Sequence, residues 1–268
     1  MSAGVDASTL ALPIFDHHVH LDDPLLTLPG QLDFQWRDAA AAGLCGAVTA
    51  GYGPERDADA IAALAPGRPL WRAVGLHPWW LAAAADDEAR HAGLRQLERQ
   101  LSGPGVVALG EVGLDGLRKQ ALPIAEQRRW MARALGMARA FDLPVVLHVV
   151  RAIGHALEEL RACPPPGGVV HRFGGPAELA PALCALGLAV SLDPSWLRRP
   201  DKLAAVVHAT PPGRLLVESD WPLDDRPWSA ALQEVQALVA AIAALRGEPV
   251  AAMAARLVED AQACYRLG

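Results

Sequence analysis

Val106-Val107-Ala108-Leu109-Gly110-Glu111 decides the reading of the fold: an apolar run, short and unbroken, that stops on a carboxylate. A strand with one wet face alternates apolar and polar residues. A continuous run instead fits a strand covered on both faces, as in a parallel sheet. A helical pattern, Ile124–Phe141, comes next, and the same unit recurs from end to end. Strands are expected at Leu12–His18, Gly46–Ala50, Leu70–Gly75, Val106–Glu111, Val145–His148, Gly168–His171, Leu188–Leu192 and Leu215–Glu218. Helices are expected at Leu32–Ala42, Asp57–Leu64, Asp86–Leu101, Ile124–Phe141, Ile153–Cys163, Pro176–Leu186, Pro200–Ala209 and Trp228–Arg246. Strand-then-helix repetition on this scale predicts a (β/α)8 TIM barrel, for which ~250 residues is usual. The 268 residues read as a single domain, 1–268, with the tail Pro249–Leu267 adding one or two helices on the outside. A doubly wound open sheet is the alternative, but it does not gather the ends of many strands at one place.

Composition narrows the function. The chain is 52% hydrophobic with a net charge of −6, and its only lysines are Lys119 and Lys202. The absence of a basic block argues against a dedicated nucleic-acid binder, though not against an enzyme that handles nucleic acid locally. No secretory signal is visible, and no apolar stretch approaches the ~20 residues that span a bilayer, so no membrane partner is expected. Cys45, Cys163, Cys184 and Cys264 are scattered without a Cys-x-x-Cys spacing and read as buried thiols in the cytoplasm. No interface motif stands out, and a monomer is expected.

The chemistry lies where the strands end. The first expected strand runs into Asp16-His17-His18-Val19-His20. On an extended chain Asp16, His18 and His20 share a face and His17 points the other way. Later strands end in His77, in Glu111 followed by Asp115, in His148, in His171, and in Glu218-Ser219-Asp220. Active sites of barrels form at the C-terminal ends of the strands. Four imidazoles with two carboxylates are about what a two-metal hydrolytic site needs, with imidazole suiting Zn and carboxylate also suiting Mn or Mg. Glu111, central in the set, is the candidate bridge, because neither lysine follows a strand. His91, His155 and His208 fall in helical stretches and read as packing or surface residues.

The set Asp16-x-His18-x-His20, Gly75-Leu76-His77-Pro78, Gly110-Glu111-Val112-Gly113-Leu114-Asp115, Leu143-Pro144-Val145-Val146-Leu147-His148, Val170-His171-x-Phe173-x-Gly175 and Glu218-Ser219-Asp220-x-Pro222 resembles the TatD family, metal-dependent hydrolases of the amidohydrolase superfamily. The resemblance implies a DNase or phosphodiesterase of 3'-5' exonuclease type that uses a metal-activated water. It implies that His18, His20, Glu111 and Asp220 bind one divalent ion, and that Glu111 bridges to a second held by His148 and His171. Asp220 would position or deprotonate the water, and His77 would contact a phosphate or stabilise developing charge. Asp16 and Glu218 would orient ligands. DNA or a small phosphodiester would be the substrate.

The outer shell departs from the family's pattern. Val150, followed by Arg151, stands where an Arg is usual, and Arg172-Phe173-Gly174 stands for Cys-Phe-Ser. Gly116 replaces an aromatic, Leu223-Asp224-Asp225-Arg226-Pro227 is a shortened loop, and Asp260 stands for a C-terminal Asn. An amidohydrolase acting on a small amide, lactone or cyclic substrate is therefore the alternative. Trp79, Trp80 and Trp221 are candidates either to stack on bases or to pack under loops. Arg151 and Arg172 would bind an anion or pair with acidic neighbours.

Overall fold

The structure, a computed structural model, describes residues 11–23, 26, 30–54, 61 and 66–267. Its strands are β1 Ile14–Val19, β2 Leu44–Ala50, β3 Leu70–Val74, β4 Val106–Asp115, β5 Val145–Val150, β6 Gly168–His171, β7 Leu188–Leu192 and β8 Leu215–Val217. They form one eight-stranded sheet in chain order, and each neighbouring pair from β1–β2 to β7–β8 is parallel. The seam closes beyond β8. His20 donates its N–H to the Trp221 carbonyl at 2.7 Å, and Asp220 donates to the His18 carbonyl at 3.1 Å. The result is a (β/α)8 barrel.

Helices cover the outside. Gln31–Ala41, Asp87–Gln100, Ile124–Ala140, Ile153–Ala162, Pro200–Ala209 and Trp228–Arg246 lie within a residue or so of expectation. The expected helix Asp57–Leu64 falls outside the described residues except at Ile61. The expected helix Pro176–Leu186 is instead a 3-10 turn, Ala177–Leu179, followed by a short α-helix, Ala180–Ala185. Pro181 has no N–H to donate, so it fits only in the first turn and forces a fresh start there. Trp228–Arg246 is long and apolar enough to cross a membrane, contrary to the expectation that no stretch is. Yet Trp228, Leu232, Val235, Leu238, Val239, Ile242 and Ala243 are buried in the protein.

Two cores result. The larger lies between strands and helices. The smaller contains Phe15, Val48, Ala50, Ala73, Ala108, Val146, Val169, Ala189 and Leu216, at least one residue from each strand, and is the barrel interior. Ala261 and Tyr265, in and just after the helix Val250–Cys264, belong to this interior cluster. The tail is therefore one helix, and it seals the barrel's interior where an external position was expected.

Candidate metal centre

The β1 strand carries an irregularity that places its histidines. Asp16 pairs with Ala47 and Val19 with Thr49, so three steps on β1 match two on β2. That extra residue is a bulge, and it resets the alternation of side chains. Phe15 and His17 point into the barrel, and past the bulge His18 and His20 also point in. Asp16 lies on the other face, accepting from the Ser219 N–H at 2.9 Å, the Ser219 hydroxyl at 2.5 Å and Trp228 Nε1 at 2.9 Å. The expected shared face of Asp16 with His18 and His20 is thus corrected, as is the outward direction of His17.

Glu111 reaches the centre because β3 and β4 approach closely. A Cβ on Gly75 would collide with the Glu111 carbonyl, so only glycine permits the approach. The two carboxylate oxygens of Glu111 divide the surrounding groups. Oε2 lies 3.5 Å from His18 Nε2 and 4.0 Å from His20 Nε2. On the same side Asp220 Oδ1 lies 3.6 Å from His18 Nε2 and 3.3 Å from His20 Nε2. Oε1 lies 3.2 Å from His171 Nε2, 3.6 Å from His77 Nε2 and 3.8 Å from His148 Nδ1. All seven expected site residues therefore meet at one mouth, nearly fully buried.

These separations suit a shared ion. Two nitrogen or oxygen ligands, each ~2.1 Å from a tetrahedral ion, stand about 3.4 Å apart. His18 Nε2 and Glu111 Oε2 are buried without a hydrogen-bond partner, which is costly unless something else satisfies them. Three triads hold their donor atoms within 4.8 Å of one another: His18 with His20 and Glu111, His18 with His171 and Asp220, and His77 with Glu111 and His148.

His20 and His148 are backed by acceptors, whereas His18 Nδ1 and His171 Nδ1 make no hydrogen bond. His20 Nδ1 donates to the Ala50 carbonyl at 2.8 Å, leaving Nε2 to face the cluster as an acceptor. Asp115 Oδ2 stands 3.4 Å from His148 Nε2 and accepts from Trp79 Nε1 at 2.6 Å. Glu218 Oε1 stands 3.4 Å from His171 Nδ1. His77 differs. Its Nδ1 accepts the Trp79 N–H at 3.0 Å, so in the neutral ring the proton sits on Nε2, aimed into the cluster.

Electrostatics follow from this crowding. Burial opposes the Glu111 carboxylate, but His171, His77 and His18 outweigh it and hold its pKa well below the usual range. Burial likewise opposes charge on His20, yet the hydrogen bond to Asp220 and the charge of Glu111 push it up to about 9. His77 goes well below its usual value, because burial and the neighbouring His148 outweigh Glu111. Asp220 stays low against burial through His20, His171 and His18.

The mouth opens into a cavity of about 370 Å3 lined by these groups together with Tyr52, Trp79, Arg172, Asp193 and Arg199. Arg172 pairs with acids, its Nη1 2.7 Å from Asp220 Oδ2 and its Nη2 3.2 Å from Asp193 Oδ2. Of the three tryptophans, only Trp79 presents a ring to the mouth, 41% exposed beneath the Arg118 guanidinium. Trp221 is buried and stacked on Trp228, and Trp80 packs against Gly53 and Gly93. Tyr52 and Asp193 are not among the expected site residues although they lie within two residues of the ends of β2 and β7; the strand-end rule applied to those two strands finds them. The thiols are free but not buried as expected, with Cys45 exposed and the others half-buried.

A barrel whose strand ends converge paired imidazoles on one buried carboxylate defines a class: the metal-dependent hydrolases. The model of TatD-related DNases matches residues 15–266, and the chain belongs to that family. Over 263 residues it is 29% identical to the "Uncharacterized metal-dependent hydrolase YjjV" of Escherichia coli strain K12, covering 94% of this chain and 97% of that one. It is 31% identical over 245 residues to the "3'-5' ssDNA/RNA exonuclease TatD" of Erwinia billingiae, covering 85% and 90% of the two chains. The crystal structure of the E. coli protein superposes with a TM-score of 0.79 at 28% identity, covering 95% of this chain and 98% of the other. The protein is thus a TatD-type metal-dependent hydrolase.

Proposed function

We propose that the protein is a two-ion phosphodiesterase acting at a nucleic-acid end, and one observation carries this reading: the two oxygens of Glu111 face different imidazoles, Oε2 towards His18 and Oε1 towards His171. His18, His20 and Asp220 would hold one divalent ion and His148 and His171 the other, with Glu111 between them. The mixed imidazole and carboxylate set suits Zn or Mn, with Mg less favoured by its nitrogens. When bound, the ions supply a polarised phosphoryl oxygen and an activated water.

The side chains then have distinct tasks. Asp220, held ionised, orients the attacking water through the oxygen facing His18 and His20. His77, neutral with its proton on Nε2, donates to a phosphate oxygen or to the leaving alkoxide. Arg172 holds Asp220 in place.

The rim supports a polyanionic substrate. Arg118 and Lys119 lie in the loop some residues beyond β4, Arg151 comes directly after β5, and Arg198, Arg199 and Lys202 lie in the turn and helix beyond β7; all six are exposed. Among the described residues no carboxylate pairs with them. Cations free of carboxylates at the mouth of a chain of net charge −6 fit phosphates crossing there. Relatives named as 3'-5' ssDNA/RNA exonucleases agree with this reading.

The test is metal analysis coupled to a panel of single-stranded DNA, RNA, a simple phosphodiester, amides and lactones. Two equivalents of metal, phosphodiester cleavage, its loss on chelation and its loss in His171→Ala are expected. Cleavage that survives exhaustive chelation would refute the proposal, and hydrolysis of amides or lactones alone would replace it with the small-substrate reading. We also propose one domain over residues 1–268 and a monomer, which sedimentation can check. Free, scattered thiols support a cytoplasmic location.

A further inference from the structure

We infer that His17 and Tyr265 are positioning residues for the second metal site, acting through Glu218 on His171; the inference rests on the proposed role of His171 as a ligand.

A line of polar atoms crosses the barrel interior. Tyr265, just beyond the last helix, donates its hydroxyl to the His17 carbonyl at 3.2 Å, and the same oxygen lies 3.1 Å from His17 Nδ1. His17 Nε2 lies 2.6 Å from Ser191 Oγ and 3.1 Å from Glu218 Oε2. The other Glu218 oxygen accepts the Arg172 N–H at 2.6 Å and faces His171 Nδ1 at 3.4 Å. His171 Nε2 then faces Glu111 Oε1 at 3.2 Å. Side chains of β1, β6 and β7, the residue that follows β8 and the residue closing the last helix are thus joined in sequence.

Packing alone does not account for this line. His17, Ser191 and Glu218 are fully buried, and Tyr265 is nearly so. The residues around them in the barrel interior are Phe15, Val169, Ala189 and Leu216, all apolar. Burying a carboxylate is costly unless its lone pairs are met, and apolar side chains would fill the same space without that cost. What the polar line does, and alkyl groups would not, is fix where Glu218 sits. Oε1 is anchored by the Arg172 N–H, and Oε2, which makes no hydrogen bond, is bounded by the His17 ring 3.1 Å away, so His17 limits how far the carboxylate can turn from His171. A carboxylate behind a ligating histidine sets its ring orientation and its basicity. Tyr265 in turn fixes the His17 ring by bonding both its Nδ1 and its backbone. The bulge in β1 makes this possible, because it lets His17 and His18 both face inward. His18 goes to one ligand set, and His17 supports the other.

The test uses the full chain, stripped of metal and titrated with Mn2+, in the wild type, Tyr265→Phe, His17→Leu and Val169→Ala. Tyr265→Phe keeps the ring and removes only the oxygen, so it folds even if His17→Leu does not. Expected are two equivalents in the wild type and an unchanged first equivalent in every variant. The second equivalent should weaken about threefold to tenfold in Tyr265→Phe and about 10–100-fold in His17→Leu. Raising Mn2+ should restore the rate of both variants towards wild type. Val169→Ala, an interior truncation off the polar line, should melt earlier without the metal and leave both affinities unchanged. A Tyr265→Phe protein that melts earlier but binds the second equivalent normally would overturn the inference and leave the two-ion reading standing. A wild type that takes up only one equivalent, or a His171→Ala protein that still takes up two, would remove that reading and the inference with it.

Discussion

The same strands build both ends of the barrel interior, and the two ends differ in kind. At the closed end Phe15, Val48, Ala73, Ala108, Val146, Val169, Ala189 and Leu216 pack against Ala261 and Tyr265. A few residues further along, the chain supplies His18, His20, Tyr52, His77, Glu111, His148, His171, Asp193 and Asp220. The closed end is apolar almost throughout, while the mouth gathers buried groups that repel or desolvate one another. One end stabilises the barrel, and the other uses that stability to hold charges close together.

If this division holds, changes at the mouth should cost activity, and changes to the apolar residues of the closed end should cost stability. The largest effect is expected for Glu111→Gln, which keeps the volume but removes the shared charge. Activity should fall on the order of 10^3-fold or more while the folded far-UV spectrum survives. A smaller change that keeps most of the rate would erase the contrast. Leu216→Ala should show the opposite pattern, losing about 2–5 kcal/mol of stability in urea melts and leaving metal affinity alone.

Acid should act next. In the metal-free protein His20 is pushed up to about 9, so below that pH an ion must displace its proton. Metal affinity should therefore fall as pH is lowered from 9 to 6, about tenfold per unit for each proton displaced, with protons released on binding. Calorimetry in buffers of different ionisation enthalpy measures that release, and none at all would contradict the electrostatics of the site. The smallest effect should come from the rim. Removing the Arg151 or Lys202 charge should flatten the salt dependence of oligonucleotide binding, by about one released ion for each phosphate no longer neutralised. Cleavage of a small phosphodiester should be unaffected.

Much of the fold and the site is legible in the sequence, for a physical reason. A parallel barrel buries both faces of each strand, so strands appear as continuous apolar runs, and the residue that breaks each run lies at the mouth. That is why His77, Glu111, His148, His171 and Asp220 stand out. What escapes depends on single residues of register. The bulge between Asp16 and Val19 puts His17 on the same face as His18, and alternation counted along the chain cannot register an inserted step. Tyr265 sits at the end of a helix whose pattern says only that one face is apolar, not that the face enters the barrel. Trp221 reads as a rim residue because it follows Asp220, yet its ring turns back onto Trp228. In each case adjacency along the chain does not fix adjacency in space.

Anomalous diffraction from crystals of the full chain soaked in Mn2+ tests the central claim most directly. The account predicts two peaks flanking Glu111, one against His18, His20 and Asp220 and the other against His148 and His171. A single peak, or two peaks that leave Glu111 bound to only one of them, would contradict it.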